Sequence, residues 1–147
     1  MIKINLPNAV DRNRKIMIEQ TELVVTKWLY QPPANPIEEE PEKLFSSISL
    51  DVMKKSAATK KGIACRFTIR FVYENATILE YVGEDSYVID LKDVIDKNEL
   101  QMMIRNSYSK FKDKFEFKKL ATILRDKSLL PFDETKYDLE PVLLLLQ

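Results

Sequence analysis

Acidic pairs are the first side chains in this sequence whose types and spacing could do chemistry. Two carboxylates held about 5 to 10 Å apart can serve a hydrolase, and clustered carboxylates can bind a hard cation. None of the pairs has the spacing of a calcium loop, and solvated surface acids are far commoner, so we predict no catalytic and no metal-binding residue among them. The pairs are Glu84 with Asp85, Asp90 with Asp93, Asp133 with Glu134, and Asp138 with Glu140.

Four lysines and the single cysteine are the other candidates for chemistry. The lysines could contact phosphate groups, but a charged hairpin tip that keeps the sheet from aggregating is the favoured interpretation. Cys65 alternates with Phe67 and Ile69, which predicts a small buried side chain rather than the exposed, electropositive setting of a reactive thiol. The lysines are Lys54, Lys55, Lys60 and Lys61.

Composition excludes several function classes. The sequence has no histidine, one cysteine and two glycines, Gly62 and Gly83. Without histidine there is no Ser-His-Asp or Cys-His catalysis and no usual zinc ligand set, and two distant glycines cannot build a phosphate-binding loop. Basic and acidic residues both number 23, so no basic excess indicates a nucleic acid partner. We predict a protein without a cofactor and without enzymatic activity.

The sequence also predicts where the protein works. Its first residues lack the long apolar core of a signal peptide. The longest apolar run, Val142 to Leu146, is far below the roughly 20 residues that span a bilayer. A single cysteine forms no intrachain disulfide, which suits a reducing compartment. We therefore expect a cytoplasmic protein that is not inserted in a membrane.

The elements that position these side chains are predicted to be strands first and helices after. Residues 63 to 73 are apolar or aromatic at every odd position, which is the period of a strand with one buried face. Other strands are predicted at 18–30, 43–53 and 77–89. The segment 31–41 contains four prolines, which exclude a helix or a central strand and favour a long crossover connection.

The C-terminal part has helical patterns. Asp96 followed by Glu99 is typical of a capping box, and an apolar stripe runs from there to Phe111. A second short helix is predicted over 117–124, with Pro131 ending helical structure.

Strands followed by helices indicate the α+β class. We predict a four-stranded antiparallel sheet with a long crossover after the first strand, and two C-terminal helices packed on one face. Residues 17–147 would form this single domain, and residues 1–16 a polar N-terminal arm.

This order of elements resembles the SecB export-chaperone family from about residue 18 onward. The resemblance implies a SecB-like fold, a tetramer built as a dimer of dimers, and grooves that hold unfolded polypeptide during protein transport; members of the wider family also guard specific partners such as antitoxins. It is carried by the crossover 31–41, the strands 43–53, 63–74 and 77–89, the aromatic and basic segment 114–120, and the closing residues 129–132 followed by 137–139.

The function that this resemblance implies is a non-enzymatic, chaperone-like protein that holds unfolded or extended polypeptide in an apolar groove. Alternatively, the four residues that would line this groove lie in the core or at a subunit interface. Apolar side chains on both faces of the first two strands indicate that part of the sheet is covered, either by another subunit or a binding partner, or by the C-terminal tail and the crossover of the same chain. With the resemblance, we predict a homo-oligomer, a dimer or a tetramer. The groove candidates are Trp28, Leu29, Tyr30 and Phe45, and the candidate interface residues, on the face opposite the helices, are Arg66 and Arg70.

Two other functions stay open at this point. One is a structural or assembly subunit that uses the same apolar surface for one fixed protein partner. The other is a small-molecule-binding sheet or a carboxylate-dependent enzyme, which would need a deep closed pocket with converging acids. The sequence does not identify the client.

Overall fold

The structure, a computed structural model, describes residues 2–7, 15–20, 22–56, 60–91, 93–128 and 132–146. Short 3-10 turns lie at Ile37–Glu39, Pro41–Lys43 and Glu134–Lys136. The strands and α-helices, in chain order, are β1 (Ile2–Pro7), β2 (Lys15–Gln20), β3 (Val24–Tyr30), β4 (Leu44–Ser56), β5 (Lys60–Tyr73), β6 (Ala76–Asp90), α1 (Lys97–Lys119) and α2 (Glu140–Leu145).

All strands belong to one antiparallel sheet whose order is β1-β2-β6-β5-β4, with β3 also paired to β6. The long strand β6 pairs with β5 along one side. Along its other side it pairs first with β3 and then with β2. The crossover after β3 therefore carries the chain from one edge of the sheet to the other edge, at β4. The predicted α+β fold is confirmed, with the first predicted strand divided into β2 and β3.

One face of the sheet packs against the helices because β5 and β6 place apolar side chains there at every second position. The odd residues of β5 from 63 to 73 are all buried, as predicted. Phe67 stacks on Phe111 of α1 with ring centroids 5.4 Å apart, and Tyr81 lies 5.2 Å from the same ring. These aromatic contacts fix α1 across the sheet.

Helix α1 begins where the sequence predicts. The Asp96 side chain accepts a hydrogen bond from the Glu99 backbone N–H at 2.8 Å, and the Glu99 carboxylate accepts one from the Asp96 N–H at 3.1 Å. This reciprocal capping box satisfies two donors that a helix start would otherwise leave open.

The predicted position of the second helix is wrong. Residues 117–119 are the last turn of α1, and residues 120–126 form turns. The Thr122 hydroxyl donates to the Lys119 carbonyl at 2.8 Å and accepts from the Leu124 N–H at 3.1 Å, a local alternative to helical pairing. The second helix is α2, which begins after the expected stop with Pro141 in its first turn, a position where proline is favoured.

Both ends of the chain contact the sheet. Ile2–Pro7, within the predicted N-terminal arm, pairs with β2 as an additional strand; residues 8–14 of that arm lie outside the described residues. At the other end Leu143 and Leu146 are buried, and Lys61 Nζ donates to the Leu146 carbonyl at 2.8 Å. The apolar C-terminal run thus packs on the core of the same chain. The division into an arm (residues 1–16) and a domain (residues 17–147) stays a prediction.

Two other predicted features, Pro131 and the hairpin tip 57–59, also lie outside the described residues.

Candidate functional site

An open groove of about 550 Å³ lies between the edge strand β3 and the C-terminal half of α1. We call it the β3–α1 groove. It combines aromatic side chains with charged ones along its rim, the composition expected of a binding surface that is apolar with a few polar groups. Its lining residues are Val25, Trp28, Tyr81, Asp113, Lys114, Phe117 and Lys118.

Trp28 is held in the groove by contacts on several sides. Its ring meets Tyr81 edge-on, with centroids 5.7 Å apart and planes at 81°. Lys118 Nζ lies 5.1 Å from the centroid of the indole ring, within the range of a cation–π attraction. Burial raises the pKa of the Tyr81 hydroxyl, so this ring is neutral at physiological pH. The arrangement gives the groove a fixed, uncharged aromatic floor.

Exposed apolar side chains continue from the groove along the end of α1. The Phe117 side chain is 79% exposed, Leu120 58% and Ile123 46%. The backbone N–H of Ile123 donates to the Tyr30 hydroxyl at 2.9 Å, which ties this segment to β3. Large exposed apolar side chains near a charged rim are typical of a protein interaction site.

The rim of the groove is more basic than acidic. It carries Lys114 and Lys118 against a single carboxylate, that of Asp113. Lys114 Nζ donates to the Leu23 carbonyl at 3.4 Å, so this ammonium is anchored at the β3 end. Flexible lysine side chains can cover apolar surface and withdraw from it, because their methylene stems are apolar.

The structure divides the predicted groove residues between the two faces of the sheet. Trp28 and Tyr30 lie on the helix face, opposite Tyr81 and Leu79 in the register. Leu29 and Phe45 lie on the other face, because Leu29 is opposite Glu80 and Phe45 is opposite Val72. Trp28 lines the groove and Tyr30 contacts Trp28, with ring centroids 6.3 Å apart. The structure does not bring Leu29 or Phe45 to this groove.

Phe117 is a groove residue that the sequence pattern did not predict. Phe117 was predicted to begin a separate short helix, whereas it lies in α1, whose buried stripe runs through Phe111 and Phe115. Phe117 is two residues beyond Phe115, and two positions along a helix turn a side chain about 200° to the opposite face. If the helix that begins after Asp96 is continued without a break, this spacing predicts that Phe117 lies on its exposed face.

Arg66 and Arg70 have ion-pair partners within their own chain. On the outer face of the sheet Arg66 Nη2 lies 3.1 Å from Glu84 Oε2, and Arg70 Nε lies 2.9 Å from Glu80 Oε2. Lys27 Nζ also contacts Glu80, at 2.7 Å. A hydrogen bond from Lys27, and then one from Arg70, lowers the pKa of the Glu80 carboxyl. These arginines remain predicted interface residues.

Acidic side chains from these pairs form ion pairs and hydrogen bonds within the described part of the chain. Glu84 lies on the outer face and pairs with Lys55 and Arg66, whereas the neighbouring Asp85 is buried on the helix face and accepts a hydrogen bond from Ser107 at 2.8 Å. Glu134 pairs with Arg105. Consecutive acids on a strand point to opposite faces, so Glu84 and Asp85 do not converge.

Cys65 is fully buried, and burial, followed by the nearby negative charge of Asp85, raises the pKa of its thiol to about 12. It is therefore protonated and unreactive at neutral pH. Within the described part of the chain, no three histidine, cysteine or acidic side chains are grouped as metal ligands. No helix in that part is both long enough and apolar enough to cross a membrane.

In comparisons with known proteins, the chain is similar to solved structures but matches no family model and no curated sequence. A similar solved structure is that of the Mycobacterium tuberculosis Rv1957 SecB-like chaperone in complex with a ChAD peptide from the Rv1956 HigA1 antitoxin, at 8% identity, with a TM-score of 0.46 over 78% of this chain and 90% of that one. Another is a protein of unknown function from Streptococcus agalactiae, at 13% identity, with a TM-score of 0.48 over 80% of this chain and 98% of that one. The resemblance to SecB-like chaperones that the element order indicated is a resemblance of architecture.

Proposed function

We propose that this chain binds extended or unfolded polypeptide in the β3–α1 groove, without catalysis. The observation that supports this most is the exposed Phe117 beside the fixed Trp28. Large apolar side chains in such a position leave apolar area in water that a partner can bury. We also propose that the protein is cytoplasmic, since its single cysteine, Cys65, is buried and reduced.

Binding in such a groove rests on burial of side chains rather than on chemistry. An apolar client side chain between Trp28 and Phe117 would remove area of both rings from water. Each fully buried large side chain contributes about 1.5–3 kcal/mol. Several weak contacts of this kind permit clients with different sequences, because apolar burial is not directional.

The rim lysines fit this mode of binding. Lys118 lies over the Trp28 ring, and its movement would open the aromatic floor to a client. The open shape of the groove, without a closed cavity lined by converging acids, favours an extended chain over a small molecule.

The test uses the single tryptophan of the chain, which lies in the groove. Titration with a tryptophan-free protein kept unfolded by reduction and carboxymethylation should change the fluorescence of Trp28 and saturate. Phe117→Ala should weaken binding about tenfold or more, because about 1.4 kcal/mol corresponds to a factor of ten. Phe45→Ala is the matched control, since Phe45 is also highly exposed, at 66%, but lies on the other face.

An unchanged Kd for Phe117→Ala, or an equal loss for Phe45→Ala, would refute the proposed groove. If unfolded proteins give no saturable signal but one co-purified protein does, the chain is a fixed-partner subunit rather than a chaperone-like binder. Retention of the far-ultraviolet circular dichroism spectrum shows that each variant is folded.

A further inference from the structure

Three lysines lie in one row along the C-terminal half of α1. Lys110, Lys114 and Lys118 follow each other at intervals of four residues, which places them on one side of the helix, one turn after another. Like charges at this spacing repel each other and destabilise a helix slightly. Two of the three, Lys114 and Lys118, line the β3–α1 groove. A ligand of opposite charge in the groove would relieve this repulsion.

The two groove lysines have no carboxylate partner among the described residues. None of the ion pairs between described side chains includes Lys114 or Lys118. Lys114 Nζ donates to a backbone carbonyl at 3.4 Å, and Lys118 Nζ lies over the Trp28 ring. Lys110 is different, because its Nζ lies 3.9 Å from Oδ2 of the buried Asp85. Within the described chain, the charges of both groove lysines are therefore available to a ligand.

The acidic residues of the same part of α1 do not neutralise this rim. Glu116 pairs with Lys119, with 3.1 Å between Oε2 and Nζ. Among the described residues that line the groove, Asp113 is the one acid beside the two lysines. The whole chain has 23 basic and 23 acidic residues. The basic rim is therefore a local property of the groove and not a consequence of overall charge.

We propose that the β3–α1 groove selects extended polypeptide segments in which acidic residues lie beside large apolar residues. This inference rests on the proposed polypeptide binding and names the class of segment that is bound. The apolar side chains would pack against Trp28 and Phe117, and the carboxylates would pair with Lys114 and Lys118. Burial of apolar area supplies affinity, whereas charge complementarity determines mainly which partners bind.

The spacing of the lysines suits two carboxylates. Lys114 and Lys118 are four residues apart, which is about 6 Å along the helix axis. In an extended chain, residues i and i+2 point to the same side and lie about 6.6 Å apart. Two acidic residues separated by one other residue would therefore reach both ammonium groups. A carboxylate at Lys118 would also compete with the Trp28 ring for its ammonium group and so open the aromatic floor to the client.

A single-stranded nucleic acid is the other polymer that aromatic rings and lysines can bind. Proteins of that kind combine stacking rings with a positively charged groove that follows the backbone and contacts many phosphates. The β3–α1 groove has two lysines and an aspartate in its lining. A rim with so few positive charges favours the scattered carboxylates of a polypeptide.

Three synthetic peptides without tryptophan test this selectivity. They share the same phenylalanine and leucine residues and differ at two positions, separated by one residue, that hold glutamate, glutamine or lysine. Titration monitored by Trp28 fluorescence gives each Kd. The glutamate peptide should bind about fivefold tighter than the glutamine peptide, and the lysine peptide should bind most weakly, because each exposed ion pair adds a modest contribution. These differences should shrink in about 0.5 M salt, which screens exposed charges.

Lys118→Glu and Lys112→Glu form a matched pair of variants, with the same change of net charge on the same helix. Lys112 is exposed and lies two residues before Lys114, about 200° around the helix. Lys118→Glu should lower the preference for the glutamate peptide about fivefold or reverse it. Lys112→Glu should retain the wild-type order of the three peptides. A far-ultraviolet circular dichroism spectrum like that of wild type shows that both variants are folded.

The outcomes separate this inference from the proposed function. Equal Kd values for the three peptides would overturn the inference and leave polypeptide binding in place. If no peptide binds although an unfolded protein does, the inference is again overturned, and if neither binds, both proposals fail. An equal loss of preference in Lys112→Glu and Lys118→Glu would also overturn it. So would displacement of the glutamate peptide by an equal concentration of single-stranded oligothymidylate, which would assign the groove to nucleic acid.

Discussion

At the scale of single residues, the distance between α1 and the sheet depends on the absence of a side chain at Gly83. A Cβ atom there would lie 2.6 Å from Cδ2 of Phe111 and 2.8 Å from its Cε2. The same Phe111 ring stacks on Phe67 and contacts Tyr81. Because Tyr81 in turn supports Trp28, one glycine helps to place the floor of the groove.

Gly83→Ala should destabilise the fold by about 1–3 kcal/mol, the usual cost of adding a methyl group to a packed core. Urea unfolding monitored by circular dichroism measures this change. The double variant Gly83→Ala with Phe111→Leu should lose less than the sum of the two single variants, because the smaller side chain makes room for the methyl group. Strict additivity would show that the methyl group does not meet Phe111.

At the scale of elements, the outer face of the sheet is organised by ion pairs between neighbouring strands. Glu80 and Glu84 of β6 each receive one arginine from β5 and one lysine from an edge strand. A hydrogen bond from Lys55 is the largest influence that lowers the pKa of the Glu84 carboxyl. Exposed ion pairs contribute little individually, but these two carboxylates are mostly covered by their partners.

These lowered pKa values predict the direction of a pH dependence. A carboxyl with a lower pKa in the folded state stabilises the fold above its unfolded value, near 4.5. That contribution is lost as the pH falls through the folded value. The free energy of unfolding should therefore decrease below a pH of about 4.5. Glu84→Gln should be less stable than wild type at neutral pH and should show a weaker decrease, measured by urea unfolding.

Glu38→Gln, in the exposed part of the crossover, is the control for this pH experiment and should retain the wild-type pH profile. Equal acid sensitivity of Glu84→Gln and wild type would contradict the assignment of this effect to the outer-face ion pairs.

The elements differ in how far the sequence could predict them. β5 was predictable because its odd positions are all apolar, and one buried face fixes the register. The start of α1 was predictable because a capping box is local. The second helix was not, because the spacing from Phe117 to Leu124 mimics a helical stripe whereas Phe117 is exposed and Thr122 closes a turn. The groove could not be predicted either, because it depends on how α1 packs across the sheet, and local sequence patterns do not determine tertiary packing.

At the scale of the whole molecule, the two edges of the sheet differ in character. The β3 edge is bulged and borders the aromatic β3–α1 groove. The β4 edge is regular, and no described strand pairs with its outer side. Because the groove and the regular β4 edge lie on opposite sides of the sheet, a client bound in the groove should leave residues 44–56 unaffected.

The most direct test of the proposed binding site is hydrogen exchange of the backbone amides, measured by mass spectrometry with and without a reduced, carboxymethylated unfolded protein. A client in the β3–α1 groove should slow exchange in 24–30 and 113–123, where it covers the strand and the end of α1. Exchange in 44–56 should not change on addition of the client. Protection confined to 44–56, or no protection of 24–30 and 113–123 at a saturating concentration of client, would contradict the proposed function.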